Sequence, residues 1–270
     1  MGPAGTKQIH DYVIEGGSYL GLCAGAYFAS DYIEFDKNGP LEVCGERYLK
    51  FYPGLCVGPV YGPFNYITEM GARPAKFTFD DQDHSNMNES EIEGTSIQKC
   101  SEFKCYFNGG GLFLPYNKGK PVVEKVYEER NMETKINIEN KMKANLKLEE
   151  NIVIDRKEDE VSLKEKENIE NPYVLTLTYQ EDAEWCKKGD NSIAVQVLAR
   201  YQGITGNPAC IVKIEVGKGT AVLSGPHIEY DSCSLDDDNV YLKFVKDEIC
   251  SYDHDQNLWF SQLLKHVGLL

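Results

Sequence analysis

The chain has 270 residues, 41% of them hydrophobic and 26% charged, proportions that fit one large globular domain or two small ones. Its formal net charge of −15 argues against nucleic-acid binding, which needs a basic patch, and no partner of that class is expected. No apolar run reaches the ~18 residues of a membrane span, and the amino terminus lacks a signal core, so the sequence reads as cytoplasmic with no membrane partner.

Residues 5–15 carry Ile9, Tyr12 and Val13 at helical spacing, and Gly16-Gly17 ends that helix. The run 18–23 then reads as a buried strand and 24–30 as the first turns of a second helix. Residues 40–80 are rich in Gly, Pro and aromatics and suggest loops with short strands, of which 73–79 alternates most clearly. A polar stretch over 80–101 reads as a surface insertion, followed by strand and turn over 103–113. A second shift, 128–171, is almost all Glu, Lys, Asn and Asp. It reads as a solvated, mobile insertion, with a partner-binding segment as the alternative. Residues 172–179, 192–201 and 209–216 read as strands. Gly217-Lys218-Gly219 turns the last into a hairpin with 220–225, and two amphipathic helices close the chain.

The stretch with most chemical content is Gly21-Leu22-Cys23-Ala24-Gly25. A nucleophile between strand and helix needs a sharp turn with small neighbours, and the following helix offers N–H groups to a thiolate or an oxyanion. A buried structural cysteine fits the same pattern. A base is needed, and there are five histidines. His84 falls in the polar insertion, His10 on the first helix, and His254 and His266 in or near the closing helices. His227 differs, because it directly follows a strand and has Glu229 two residues on. In extended chain the two side chains share a side, so the carboxylate can orient the imidazole. The nine cysteines show no Cys-x-x-Cys and no even pairing, so reduced thiols are expected. Cys100 and Cys105 with His84 lack a second ligand pair, and no metal site is expected. Gly217 to Thr220 lacks a phosphate-binding loop, the Asn88 glycosylation pattern reads as chance, and Pro3 weakens the myristoylation pattern at Gly2.

Gly-x-Cys-x-Gly early and His-x-Glu after a late strand resemble the class I glutamine amidotransferase-like fold. The blocks around residues 21–30, 47–61, 106–113 and 207–230 together resemble the amino-terminal domain of eukaryotic biotin-protein ligases (holocarboxylase synthetases). The resemblance implies an α/β, flavodoxin-like three-layer sandwich, with 1–270 a single amidotransferase-like domain. It makes Cys23 the nucleophile position, His227 the base, Glu229 the orienting acid and the Ala24 N–H an oxyanion donor, with Asn108, Gly109 and Gly110 in a nearby loop. The family's first strand–helix units and a Pro-Gly-Gly oxyanion loop are not seen, so the core reads as truncated. The biotin-transfer domain is not seen either. Biotin and ATP would belong to that domain, leaving no cofactor for this chain. The implied partners are a biotin ligase domain or biotin-accepting carboxylases. Three functions follow: a regulatory domain supporting protein biotinylation, a cysteine-dependent amidohydrolase, and a non-catalytic interaction module.

Overall fold

The structure is a computed structural model, and it describes residues 2–79, 103–115, 125–126, 176–177 and 194–270. The expected insertions at 80–101 and 128–171, with His84 and Cys100, lie outside the described residues. Everything below belongs to the unit formed by residues 1–125 and 175–270.

Helix α1 spans Pro3–Ile14, with proline at its start, where a missing N–H costs nothing. Gly16 sits at φ 120° and closes it. Strand β1 (Ser18–Leu22) leads into the short helix α2 (Ala24–Ala29), then β2 (Ser30–Phe35), β3 (Val43–Glu46) and β4 (Tyr52–Gly58). Strands β5 (Arg73–Phe79), β6 (Phe103–Phe107) and β7 (Leu112–Pro115) follow. The last three strands are β8 (Val195–Tyr201), β9 (Ala209–Val216) and β10 (Gly219–Ser224). Helices α3 (Val240–Ile249) and α4 (Asp253–His266) end the domain.

Ten strands form one mixed sheet. Its main path runs β3-β2-β4-β7-β9-β8-β5-β6, and β10 joins β9 to β1. Two pairings are parallel, β1 with β10 and β2 with β4, and the other named pairings are antiparallel. Side chains alternate between two apolar clusters, as period-2 geometry requires of a sheet buried on both sides. Leu55, Val57, Leu112, Leu114 and Val222 join one cluster, together with Trp259 and Leu263 of α4. Cys56, Phe113, Ala221 and Leu223 join the other, with Val13 of α1 and Ala26 and Tyr27 of α2. The chain is therefore a mixed α/β domain with a central sheet, as the sequence implies, and helices contribute to the core on both faces. Among the described residues no helix is long and apolar enough to cross a membrane.

The parallel pair β1–β10 matters most for the site. Its register sets Leu22 opposite Ser224. Parallel strands end at the same edge, so the residues following each, Cys23 and the Gly225-Pro226-His227 segment, emerge side by side.

Candidate active site

At the end of β1 the backbone turns through Cys23, which has φ 47° and ψ −102°. That is an unfavourable conformation for a residue with a side chain, of the kind kept where the surroundings over-determine it. The surroundings are identifiable. The Cys23 N–H donates to the Ser224 carbonyl at 2.8 Å, extending the β1–β10 ladder by one bond. The Cys23 carbonyl accepts from the N–H groups of Ala26 and Tyr27, starting α2. Gly21 is required because a Cβ there would lie 2.8 Å from the Gly25 backbone and 2.7 Å from the Tyr19 ring. Gly25 has room for a methyl group, its nearest neighbour being the Tyr19 hydroxyl at 3.5 Å. The tight approach expected on both sides of Cys23 is thus needed at Gly21 alone. The Tyr19 hydroxyl donates to the Gly25 carbonyl at 2.9 Å and pins the elbow from behind.

His227 reaches the same place from β10. Its backbone N–H donates to the Tyr106 carbonyl at 3.1 Å, which anchors it against β6. The ring Nδ1 bonds Glu229 Oε1 at 2.6 Å, and the imidazole lines one pocket with Cys23, close enough to interact with it electrostatically. With Nδ1 engaged by the carboxylate, Nε2 is the nitrogen left for the sulfur. Burial acts to lower the His227 pKa, but the hydrogen bonds and charges of Cys23 and Glu229 outweigh it and push it up to about 10. Tyr106 and Tyr230 flank the ring, with centroids 5.4 and 5.6 Å away. Cys23 and His227 line the same pocket, and Glu229 is bonded to His227. His10 stacks on Phe51 at 5.9 Å, and His254 is exposed on α4.

The Asn108-Gly109-Gly110 loop divides its work. Asn108 lines the pocket, and its carbonyl lies 3.6 Å from the Cys23 sulfur as an acceptor. The glycines lie behind it. A Cβ on Gly110 would stand 2.1 Å from the Gly225 carbonyl oxygen, and one on Gly225 would stand 1.9 Å from that of Gly111. Two buried phenols hold this loop: Tyr27 donates to the Gly109 carbonyl at 3.1 Å and Tyr201 to the Gly111 carbonyl at 3.0 Å. Tyr27 sits on α2, one turn past Cys23, so a single helix supports both elbow and loop. The Ala24 N–H is the first of α2 and has no intrahelical acceptor.

Cys23 and His227 open into a pocket of about 480 Å³. Its far walls come from the segment Phe64 to Glu69 and from Tyr230, Asp236 and Leu242. Sequence reasoning missed these walls. Tyr106 stands beside the glycine run and could have been singled out, whereas Glu69 lies in a loop with no motif. Among the described residues no group of three or more potential metal ligands occurs.

Fold and site together define an α/β domain that carries a cysteine–histidine–glutamate cluster at the ends of two parallel strands. The family follows from comparison. The family model described as "Biotin-protein ligase, N terminal" matches residues 1–151 and 160–270, and the chain belongs to that family. It is 40% identical over 131 residues to the biotin–protein ligase of Schizosaccharomyces pombe (strain 972 / ATCC 24843), covering 47% of this chain and 18% of that protein. It is 30% identical over 240 residues to an uncharacterised protein of Chlamydia muridarum (strain MoPn / Nigg), covering 87% of this chain and 58% of the relative. The chain thus spans less than two thirds of the length of either. No solved structure matches it significantly.

Proposed function

We propose that this chain is a class I amidotransferase-like domain that supports protein biotinylation, and that Cys23, His227 and Glu229 form a working thiol triad acting on an amide. The observation that carries this reading is the strained Cys23 elbow facing one pocket with His227, itself held by Glu229 at 2.6 Å. An imidazolium beside a cysteine is the pairing a thiolate nucleophile needs. The thiolate attacks the amide carbonyl, a C–S bond forms, and the oxyanion is held by the Ala24 N–H. His227 passes its proton to the departing nitrogen as the C–N bond breaks. It then accepts a proton from the water that hydrolyses the thioester, the C–S bond breaks, the acid leaves, and the thiolate–imidazolium pair is restored. Glu229 keeps the ring in the tautomer both steps use.

Iodoacetamide labelling at pH 7 tests this. Cys23 should react at least about tenfold faster than the exposed Cys44, Cys233 and Cys250, and His227→Ala should abolish the difference. Equal rates at all four sites would remove the thiol reading.

A second, regulatory reading is favoured by family membership: the domain tunes a biotin ligase domain or its carboxylase substrates by binding. In a ligase assay supplemented with this chain, it expects Cys23→Ser to act as well as wild type, whereas the catalytic reading expects the variant to be inert.

A further inference from the structure

The pocket in front of Cys23 is selective in charge. Two carboxylates line it, Glu69 and Asp236, and among the described residues the basic side chain lining it is His227, already paired with Glu229, with no lysine or arginine beside it. Glu69 is fixed in place. Its Oε2 accepts from the Tyr106 hydroxyl at 2.6 Å and from Asn108 Nδ2 at 2.7 Å. Both donors are neutral, so they orient the carboxylate without cancelling its charge. Burial first, and then Glu69 itself, holds the Tyr106 phenol well above its ordinary pKa, so it stays a donor. Among the described residues Glu69 has no cationic partner. Asn108 also joins the carboxylate to the reacting atom, because its side-chain amide holds Glu69 while its backbone carbonyl meets the Cys23 sulfur. The remaining wall is aromatic. Phe64 and Tyr66 pack edge to face with centroids 4.8 Å apart, and Tyr106 and Tyr230 do the same at 5.7 Å. Carboxylates among aromatic rings attract a cation twice, by charge and by the negative ring faces, and repel an anion.

Resting on the reading of Cys23 as the nucleophile, we infer that the substrate is a cationic amide. Its ammonium or guanidinium group sits against Glu69 and the aromatic wall while its carbonyl meets the Cys23 sulfur. Glu69 is then the residue that determines specificity, and an amide bearing a carboxylate at the same place is rejected.

Methanethiosulfonate reagents test this on the whole chain: a trimethylammonium-ethyl reagent, a sulfonatoethyl reagent of similar size, and the smaller, neutral methyl reagent. Each transfers its thioalkyl group to a thiolate and releases methanesulfinate. Rates at Cys23 are divided by those at the exposed Cys44 and Cys250 of the same molecule, which removes the effect of the overall charge of −15. The normalised cationic-to-anionic ratio at Cys23 should be about tenfold or more. Glu69→Gln keeps an oxygen for Tyr106 and should lower that ratio several-fold, with Asp236→Asn having a smaller effect. The wild-type ratio stands as a test even if a variant is unstable. A Cys23 that reacts fast with all three reagents at a normalised ratio near one overturns the cationic specificity and leaves the nucleophile standing. A Cys23 no faster than Cys44 and Cys250 with the neutral reagent overturns the nucleophile itself.

Discussion

Replacing Gly225 with alanine probes how the site is held together. The added methyl carbon would stand 1.9 Å from the Gly111 carbonyl oxygen and 2.7 Å from the Tyr201 hydroxyl, where ordinary contact is 3.4–4 Å. One side must retreat by about 1.5 Å, the difference between 3.4 and 1.9. The glycine loop has nowhere to go: a Cβ at Gly111 would already be 2.6 Å from the Cys56 sulfur, and the Gly111 carbonyl is held by Tyr201. The strain therefore falls on the β10 end that carries His227. Overpacking a well-filled site costs about 1–3 kcal/mol, and against two backbone segments we expect the upper end, about 3 kcal/mol. For a domain of this size that lowers Tm by roughly 6–12 °C. Urea unfolding followed by far-UV circular dichroism gives the free energy, and the Cys23 labelling rate reports whether His227 has moved. A loss under about 0.5 kcal/mol with an unchanged labelling rate would refute the claim that this contact positions the base.

The elbow makes an ordered prediction: Gly25→Ala should cost no more than a few tenths of a kcal/mol while Gly21→Ala costs about 1–3 kcal/mol, as read by chemical denaturation. His227 should titrate near pH 10 by imidazole NMR, and Glu229→Gln, which removes one of the groups holding the proton, should move its midpoint down toward 6.5. Because the folded pKa lies above the unfolded one, the stability this group contributes is complete below pH 6.5 and is lost as pH rises through about 10. The stability difference between wild type and His227→Gln should therefore shrink as pH rises through about 10, and a difference that grows with pH would contradict it. Tyr27→Phe leaves the buried Gly109 carbonyl without its donor and should cost about 1–3 kcal/mol in urea unfolding.

Local signals carried much of this structure in the sequence. Residues 73–79 alternate and form β5, residues 209–216 form β9 as read, and the glycine turn at 217–219 makes the hairpin to β10. Cys23 and His227 were recognisable because each follows an apolar run and is flanked by small or acidic residues at short range. What joins them is non-local. The parallel pairing of β1 with β10 links residues some two hundred positions apart, and no periodicity announces it. Glu69 was invisible for a related reason, since its importance comes from Tyr106 and Asn108, which fold against it from β6 and the loop after it. The mixed direction of the sheet was equally hidden, because a strand buried on both faces looks alike whichever way its neighbours run.

The bond from the Cys23 N–H to Ser224 has a consequence for how this family could change. The spacing between sulfur and imidazole is fixed by the register of two core strands, while the far walls of the pocket come from the segment Phe64 to Glu69 and from the stretch before α3. The strand pairing that sets Cys23 beside His227 and the segments that line the pocket thus belong to separate parts of the chain. The lining segments can drift or lengthen while the two core strands, and with them the placement of Cys23 and His227, stay as they are.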